Sequence, residues 1–179
     1  MSELFPPLTT PRLLLRPISR DDTPFVVRHF CDPQVQRYLL DDEPIETPEQ
    51  AAAIVDFYLE RPDAPYNRWV VLRADGGAPI GTCGFHKWSQ QHRHAEIGYD
   101  LSPAFWGHGY MREAVRAMLA HGFGPLGLHR IEALVATENE RSAKLLLDLG
   151  FQREGLLRDY SRQGGRFYDH LLFARLSTD

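Results

Sequence analysis

The sequence predicts one layered α/β domain (mixed α+β), with about seven strands in a central sheet flanked by about four helices. Three observations predict it. Short apolar stretches alternate with a period of two, as in Ile131-Glu132-Ala133-Leu134-Val135. Stretches of helical period lie between some of them, and turn signals such as Ala74-Asp75-Gly76-Gly77 join others directly. Hairpins mixed with strand-helix-strand units give a mixed sheet, and 179 residues without a repeat or linker suit one domain over 1–179.

Arg12-Leu13-Leu14-Leu15-Arg16-Pro17 reads as the first strand. A helix opens near the Asp21-Asp22 cap signal, carries Phe25, Val26 and Phe30, and is interrupted at Asp32-Pro33. A second helix starts after Thr47-Pro48-Glu49, with proline at its permitted first-turn position, and stops at Arg61-Pro62. Trp69–Leu72 and Pro79–Phe85 form a hairpin, and Glu96–Leu101 is a further strand. From Gly109 to about Phe123, Val115, Met118, Leu119 and Phe123 recur at helical spacing. Ile131–Val135 is a strand, Asn139 to Leu149 a helix stopped by Gly150, and the segments from Phe151 and from Phe167 to Leu176 are closing strands joined through Gly164-Gly165.

Apolar residues at 43% and charged residues at 25% fit a soluble globular chain, neither disordered nor membrane-spanning. The N-terminus lacks the basic and apolar blocks of a signal peptide, so the cytoplasm is the expected location. Cys31 and Cys83 cannot build a disulfide framework; Cys83 reads as a small buried strand residue or as a nucleophile. A formal net charge of −4 gives no global attraction to nucleic acid or anionic lipid and suits a cationic partner better. No stripe of basic and aromatic residues marks a nucleic-acid surface.

The most informative stretch is Pro103-Ala104-Phe105-Trp106-Gly107-His108-Gly109-Tyr110-Met111-Arg112, where a strand gives way to a helix. A helix start leaves backbone N–H groups without partners, and the peptide dipoles add partial positive charge, so an anion can be held by main chain alone. Gly107 and Gly109 have no Cβ to block a phosphate oxygen and are free to take positive φ.

With Gly98-Tyr99-Asp100-Leu101 before this loop, and Asn139-Glu140-Arg141-Ser142-Ala143-Lys144-Leu145-Leu146-Leu147-Asp148-Leu149-Gly150-Phe151 after it, the chain resembles the GNAT superfamily of N-acetyltransferases. Trp106-Gly107-His108-Gly109-Tyr110, Ile97-Gly98-Tyr99 and Arg12-Leu13-Leu14-Leu15-Arg16 resemble the branch that includes ribosomal-protein N-terminal acetyltransferases. The resemblance implies a GNAT-like fold with a central mixed, mostly antiparallel sheet. It also implies acetyl-CoA as co-substrate, no metal, and a small amine or a protein N-terminal amine as acceptor, in a monomer or homodimer. The family's Q/R-x-x-G-x-G/A pattern is matched fully only at Gly109, since Trp106 and Met111 stand at its ends. A tyrosine that serves some members as general acid is replaced by Leu146.

The resemblance assigns roles residue by residue. Backbone at Tyr99 and Leu101 would pair with the pantetheine arm, while the amides of Gly107, His108, Gly109, Tyr110, Met111 and Arg112 would take the pyrophosphate. Arg112 either adds charge there or is a solvated first-turn arginine. Asn139 is a pantetheine ligand, a helix cap, or both. Ser142 either protonates the leaving thiolate or bonds locally. Glu96 is the candidate base, because partial burial of a carboxylate on this strand would make it more basic; the bland alternative is an edge-strand ion pair, with Glu132 and Asp100 in reserve. Competing readings are a two-histidine, one-carboxylate metal site at His92, His94 and Glu96 and an acyl-CoA-binding sensor without turnover. Asp41-Asp42-Glu43 would attract an ammonium group or be solvated surface.

Overall fold

Trp69, Val71, Phe85, Ile97 and Ile131 are all fully or almost fully buried, and their strands form the middle of the sheet. The structure is a computed structural model that describes residues 4–40, 43–60 and 65–179. The Arg61-Pro62 helix stop and the first two acids of Asp41-Asp42-Glu43 lie outside the described residues.

Among the described residues the strands are β1 (Leu8–Thr9), β2 (Leu13–Pro17), β3 (Trp69–Arg73), β4 (Pro79–Ser89), β5 (His94–Leu101), β6 (Arg130–Ala136), β7 (Gln152–Gln163) and β8 (Arg166–Leu176). They line up as β1-β2-β3-β4-β5-β6-β8-β7. Every neighbouring pair is antiparallel except β5 with β6. The helices are α1 (Thr23–Phe30), α2 (Pro33–Gln36), α3 (Pro48–Leu59), α4 (Tyr110–Phe123) and α5 (Glu140–Asp148).

The count exceeds the sequence expectation by one strand and one helix. β1 has two residues, too few to show a period, and α2 is a single turn. Asp32-Pro33 is not only a stop: the Asp32 side chain accepts from Gln34 N at 2.8 Å, and Pro33 opens α2. Thr47 and Gln50 form a reciprocal capping box at the start of α3.

Each face of the sheet has its own core. On one, Met111, Val115, Met118 and Leu119 of α4, Leu146 of α5 and Leu149 just past its end pack on Leu13, Leu15, Trp69, Phe85 and Phe173. On the other, Phe25, Val26 and Phe30 of α1 and Ala51 and Val55 of α3 pack with Ile18 and Val70. α1 to α3 thus cover one side of the sheet, and α4 and α5 the other.

Gly84 of β4 permits a close crossing of two chain segments. A Cβ there would lie 2.0 Å from the carbonyl oxygen of Asn67, where the chain runs into β3 and places Arg68. Gly84→Ala is expected to lower stability by about 1–3 kcal/mol, the usual cost of overpacking, in urea unfolding. An unchanged midpoint would mean that the Asn67 backbone yields without cost.

Candidate active site

Parallel pairing between β5 and β6 runs through His94 with Arg130, Ala95 with Ile131 and Glu96 with Glu132, and stops there. Both strands continue, β5 to Leu101 and β6 to Ala136, with a gap between them. Ser102 N donates to Ile80 O at 2.8 Å, which fixes the alternation of the β4 and β5 ladder. Even-numbered residues of β5 therefore bond to β4, and the backbone groups of Tyr99 and Leu101 face the gap. The Leu101 carbonyl accepts from Trp106 Nε1 at 2.7 Å, so the indole already takes up part of the exposed strand edge. A cleft of about 1710 Å³ runs through the gap, lined by β5 and β6 and by residues from both helical layers.

On the α4 side, Gly107 and Gly109 have φ of +79° and +76°, the left-handed region that favours glycine. A Cβ at Gly107 would meet nothing within 4 Å, so it is the backbone conformation, not packing, that calls for glycine there. Gly109 is the N-cap of α4 and supplies no side-chain cap, which leaves the first-turn N–H groups of a fourteen-residue helix to an outside acceptor. This cradle fits a pyrophosphate. Arg12 holds it from beneath, with Nε 2.7 Å from Glu113 Oε2 and an Nη donating to the His108 carbonyl at 3.0 Å. The imidazole of His108 stacks on Tyr110, Arg112 pairs with Asp148 of α5, and Met111 is buried in the core.

Asn139 caps α5, its Oδ1 accepting from Ser142 N at 3.2 Å. Ser142 Oγ in turn shares a 2.7 Å hydrogen bond with the Tyr99 hydroxyl. Burial pushes the Tyr99 phenol up, and the Ser142 bond offsets only part of that, so the phenol keeps its proton. The sequence by itself points only to the Tyr99 backbone. Alternation along β5 is the signal for its side chain, because it sets Tyr99 on the face that Ala95 and Ile97 bury against α4 and α5. Leu146, at the missing tyrosine's place, is fully buried in that core.

On the α1 to α3 side, Glu96 lines the cleft and accepts from Lys87 Nζ at 2.9 Å. Its neighbour on the same face, Asp100, is consumed by a buried network. His29 Nε2 lies 2.6 Å from Asp100 Oδ1, Thr82 N donates to Oδ1 at 2.9 Å, and Thr82 Oγ1 donates to Oδ2 at 2.7 Å. Arg68 adds a longer contact of 3.4 Å. Burial alone would raise the Asp100 carboxyl, but His29, Arg68 and Thr82 together hold it below the usual range. Glu132 pairs with Arg130. Asp100 and Glu132 are thus committed to structure, and Glu96 is the carboxylate of the three that meets the cleft with a single ion-pair partner. Cys83 is fully buried, and burial beside Asp100 pushes its thiol up, which makes it an inert core residue.

The metal alternative is not supported. His92 falls in the turn before β5 and stacks on His94 at 6.0 Å, while Glu96 is turned to Lys87. Among the described residues no group of three histidine, cysteine or acidic side chains is placed to hold a metal ion. Nor, among them, is any helix long and apolar enough to cross a membrane.

An unpaired stretch of parallel strand edge thus lies beside a glycine-capped helix start, and both open on one cleft. Residues 12–152 match the Acetyltransferase (GNAT) domain family, and the chain belongs to that family, as an acetyl-CoA-dependent N-acetyltransferase. It is 42% identical over 170 residues to the uncharacterized N-acetyltransferase YoaA of Bacillus subtilis, covering 93% of this chain and 94% of that one. A GNAT-family acetyltransferase from Bacillus anthracis superposes with a TM-score of 0.86 at 27% identity, over 97% of this chain and 99% of that chain. More distant are two proteins with named acceptors. The Escherichia coli [ribosomal protein uS5]-alanine N-acetyltransferase is 35% identical over 101 residues, 56% of this chain and 52% of its own length. The Vibrio cholerae spermidine N-acetyltransferase, solved with CoA and spermine, gives a TM-score of 0.82 at 26% identity over 94% and 98% of the two chains. The ribosomal acetyltransferases are thus relatives at a distance, and of the expected resemblance it is membership of the family as a whole that is shown.

His86 of β4 also lines the cleft, and its titration is open to test. Burial, aided by the charges of Arg68 and Lys87, pushes its imidazole down from 6.5 to about 3. Below about pH 6.5 the unfolded chain takes up a proton that the folded one refuses, so stability is lost as pH falls from there toward 3. The expected slope is at most about 1.4 kcal/mol per pH unit. His86→Gln should flatten it in urea titrations at pH 7 and pH 4.5; equal slopes in the two proteins would show that His86 titrates freely in the fold.

Proposed function

We propose that the chain acetylates a primary amine, a small amine or a protein N-terminal amine, by direct attack within a ternary complex. The observation that carries this reading is the gap between β5 and β6, which opens on a phosphate cradle on one face and on Glu96 on the other. Acetyl-CoA, when bound, supplies the thioester and its leaving thiolate. First-turn amides from Gly107 to Arg112 hold its pyrophosphate, and backbone groups of Tyr99 and Leu101 hold the arm in the gap, where they also polarise the acetyl carbonyl. Asn139 both caps α5 and faces the arm.

Glu96 receives the proton of the arriving ammonium, directly or through water, while Lys87 steadies the carboxylate. Ser142, held by its 2.7 Å bond to the Tyr99 hydroxyl, gives its proton to the departing sulfur and regains one from the attacking nitrogen as the amide forms. Two hydroxyls so joined do the work assigned elsewhere in the family to the tyrosine that Leu146 replaces. The base and the acid thus act from opposite faces of the sheet, with the reacting carbon between them.

Acetyl-CoA should raise the melting temperature, and Gly109→Glu should abolish the shift by setting a carboxylate in the cradle; a shift retained in the variant would overturn the donor site. A free-thiol release assay against peptide N-termini, polyamines and small amines is expected to find an acceptor. With it, Glu96→Gln and Ser142→Ala should each lower kcat about 10²- to 10⁴-fold with little change in the KM for acetyl-CoA. Full activity in Glu96→Gln would show that the amine loses its proton by another route.

A further inference from the structure

His170 of β8 and Ser161 of β7 are two polar side chains of the cleft that the reaction scheme leaves unused. His170 is 5% exposed. Its Nδ1 and Ser161 Oγ are buried without a hydrogen-bond partner among the described residues, and both residues line the cleft. Such atoms are costly unless something completes them.

The sheet register fixes where they stand. His170 pairs with Ala136 at the open end of β6, and Ser161 pairs with Tyr168, two places along from His170. Paired residues share a face, as do residues two apart in a strand. Leu171 and Phe173 point into the α4 and α5 core, so His170 and Ser161 point to the opposite side, which is also the side of Glu96. β7 slips register between Leu157 and Ser161, with Asp159 at a φ of 50°, and this irregularity sets Tyr160 against the imidazole at 5.5 Å. Tyr160 lies beside Lys87, the partner of Glu96. The unpartnered pair is therefore a short reach from the proposed base.

Charge indicates what it takes. Glu43, Glu96 and Asp100 line the cleft, and each is already bonded: to Gly164 N, to Lys87, and to His29 with Thr82. Arg68, Lys87 and Arg162 line the same part. Among the described residues a chain of ammonium groups finds few open acids there, whereas an oxygen acceptor finds donors. We infer that His170 Nδ1–H and Ser161 Oγ–H donate to a carbonyl or carboxylate oxygen that the acceptor carries close to its amine. This inference rests on the transferase reading and narrows its acceptor to an amine of that kind.

Phenylalanine amide, phenylalanine and phenethylamine share a benzyl group and differ in that oxygen and in amine basicity, so kcat/KM for the three by thiol release, expressed per neutral amine, tests the subsite. The amide or the acid should exceed phenethylamine by about tenfold or more, the worth of one or two hydrogen bonds, and which of the two leads distinguishes a carbonyl from a carboxylate. His170→Leu and Ser161→Ala should each erase most of that preference. His170→Asn, which keeps a donor near the Nδ1 position, should retain it. The melting shift with acetyl-CoA serves as the control for folding in each variant. Equal use of the three amines, or a preference untouched in both His170→Leu and Ser161→Ala, would overturn the subsite and leave the transferase reading standing. No turnover of these or any other amine, with acetyl-CoA still raising the melting temperature, would overturn both.

Discussion

The parting of β5 from β6 after Glu96 and Glu132 is the constraint on which the rest of the molecule depends. A sheet normally satisfies its own backbone, and an interior strand edge left open is costly unless something else supplies the missing bonds. Here Trp106 meets the Leu101 carbonyl, and the backbone beyond Glu96 otherwise faces the cleft. Both helical layers are arranged around that opening. α4 begins beside it with an uncapped glycine, α5 begins beside it with a capping asparagine, and the α1 to α3 layer closes the other side.

The buried network around Asp100 explains how an acid, an arginine and a histidine coexist beneath the cleft. His29 anchors α1 to β5 through Asp100 at one ring nitrogen and through Ser102, 2.9 Å away, at the other. Removing one member would leave a buried charge uncompensated, so the network fixes geometry more than it adds net stability. It also leaves Glu96 as the neighbouring acid with reach into the cleft, so that two carboxylates on one strand face have different surroundings, a buried network for Asp100 and a single lysine for Glu96. Environment makes the division, since residue type does not.

Most of the fold is legible in the sequence, because hairpin turns, helix caps and two clear periodicities agree with one another. The glycine-capped helix start is legible for the same reason: Gly107 and Gly109 stand where positive φ is needed, and their place between strand and helix can be read in one dimension. What escapes is long-range. The Tyr99 and Ser142 hydroxyls are 43 positions apart and meet only once α5 packs beside β5. Asp100 reads as a reserve base because nothing local shows that His29, 71 positions away, claims it. β1 and α2 pass unseen because they are shorter than the period that would betray them. His170 and Ser161 give no signal, since their significance lies in what they fail to touch.

The tip of the β7 and β8 hairpin is tied to the segment that follows α2, beside the cleft. Gln163 Nε2 donates to the Leu39 carbonyl at 2.9 Å, and Gly164 N donates to Glu43 Oε2 at 3.0 Å. Two segments more than a hundred residues apart in sequence therefore form one wall, while the open strand edge of β5 and the glycine-capped start of α4 come from the stretch between them. Drift in one half of that wall must be answered in the other, and neither change disturbs the cradle. The shape of that side of the cleft is therefore set jointly by two segments that lie far apart in the chain, independently of the glycine-capped start of α4.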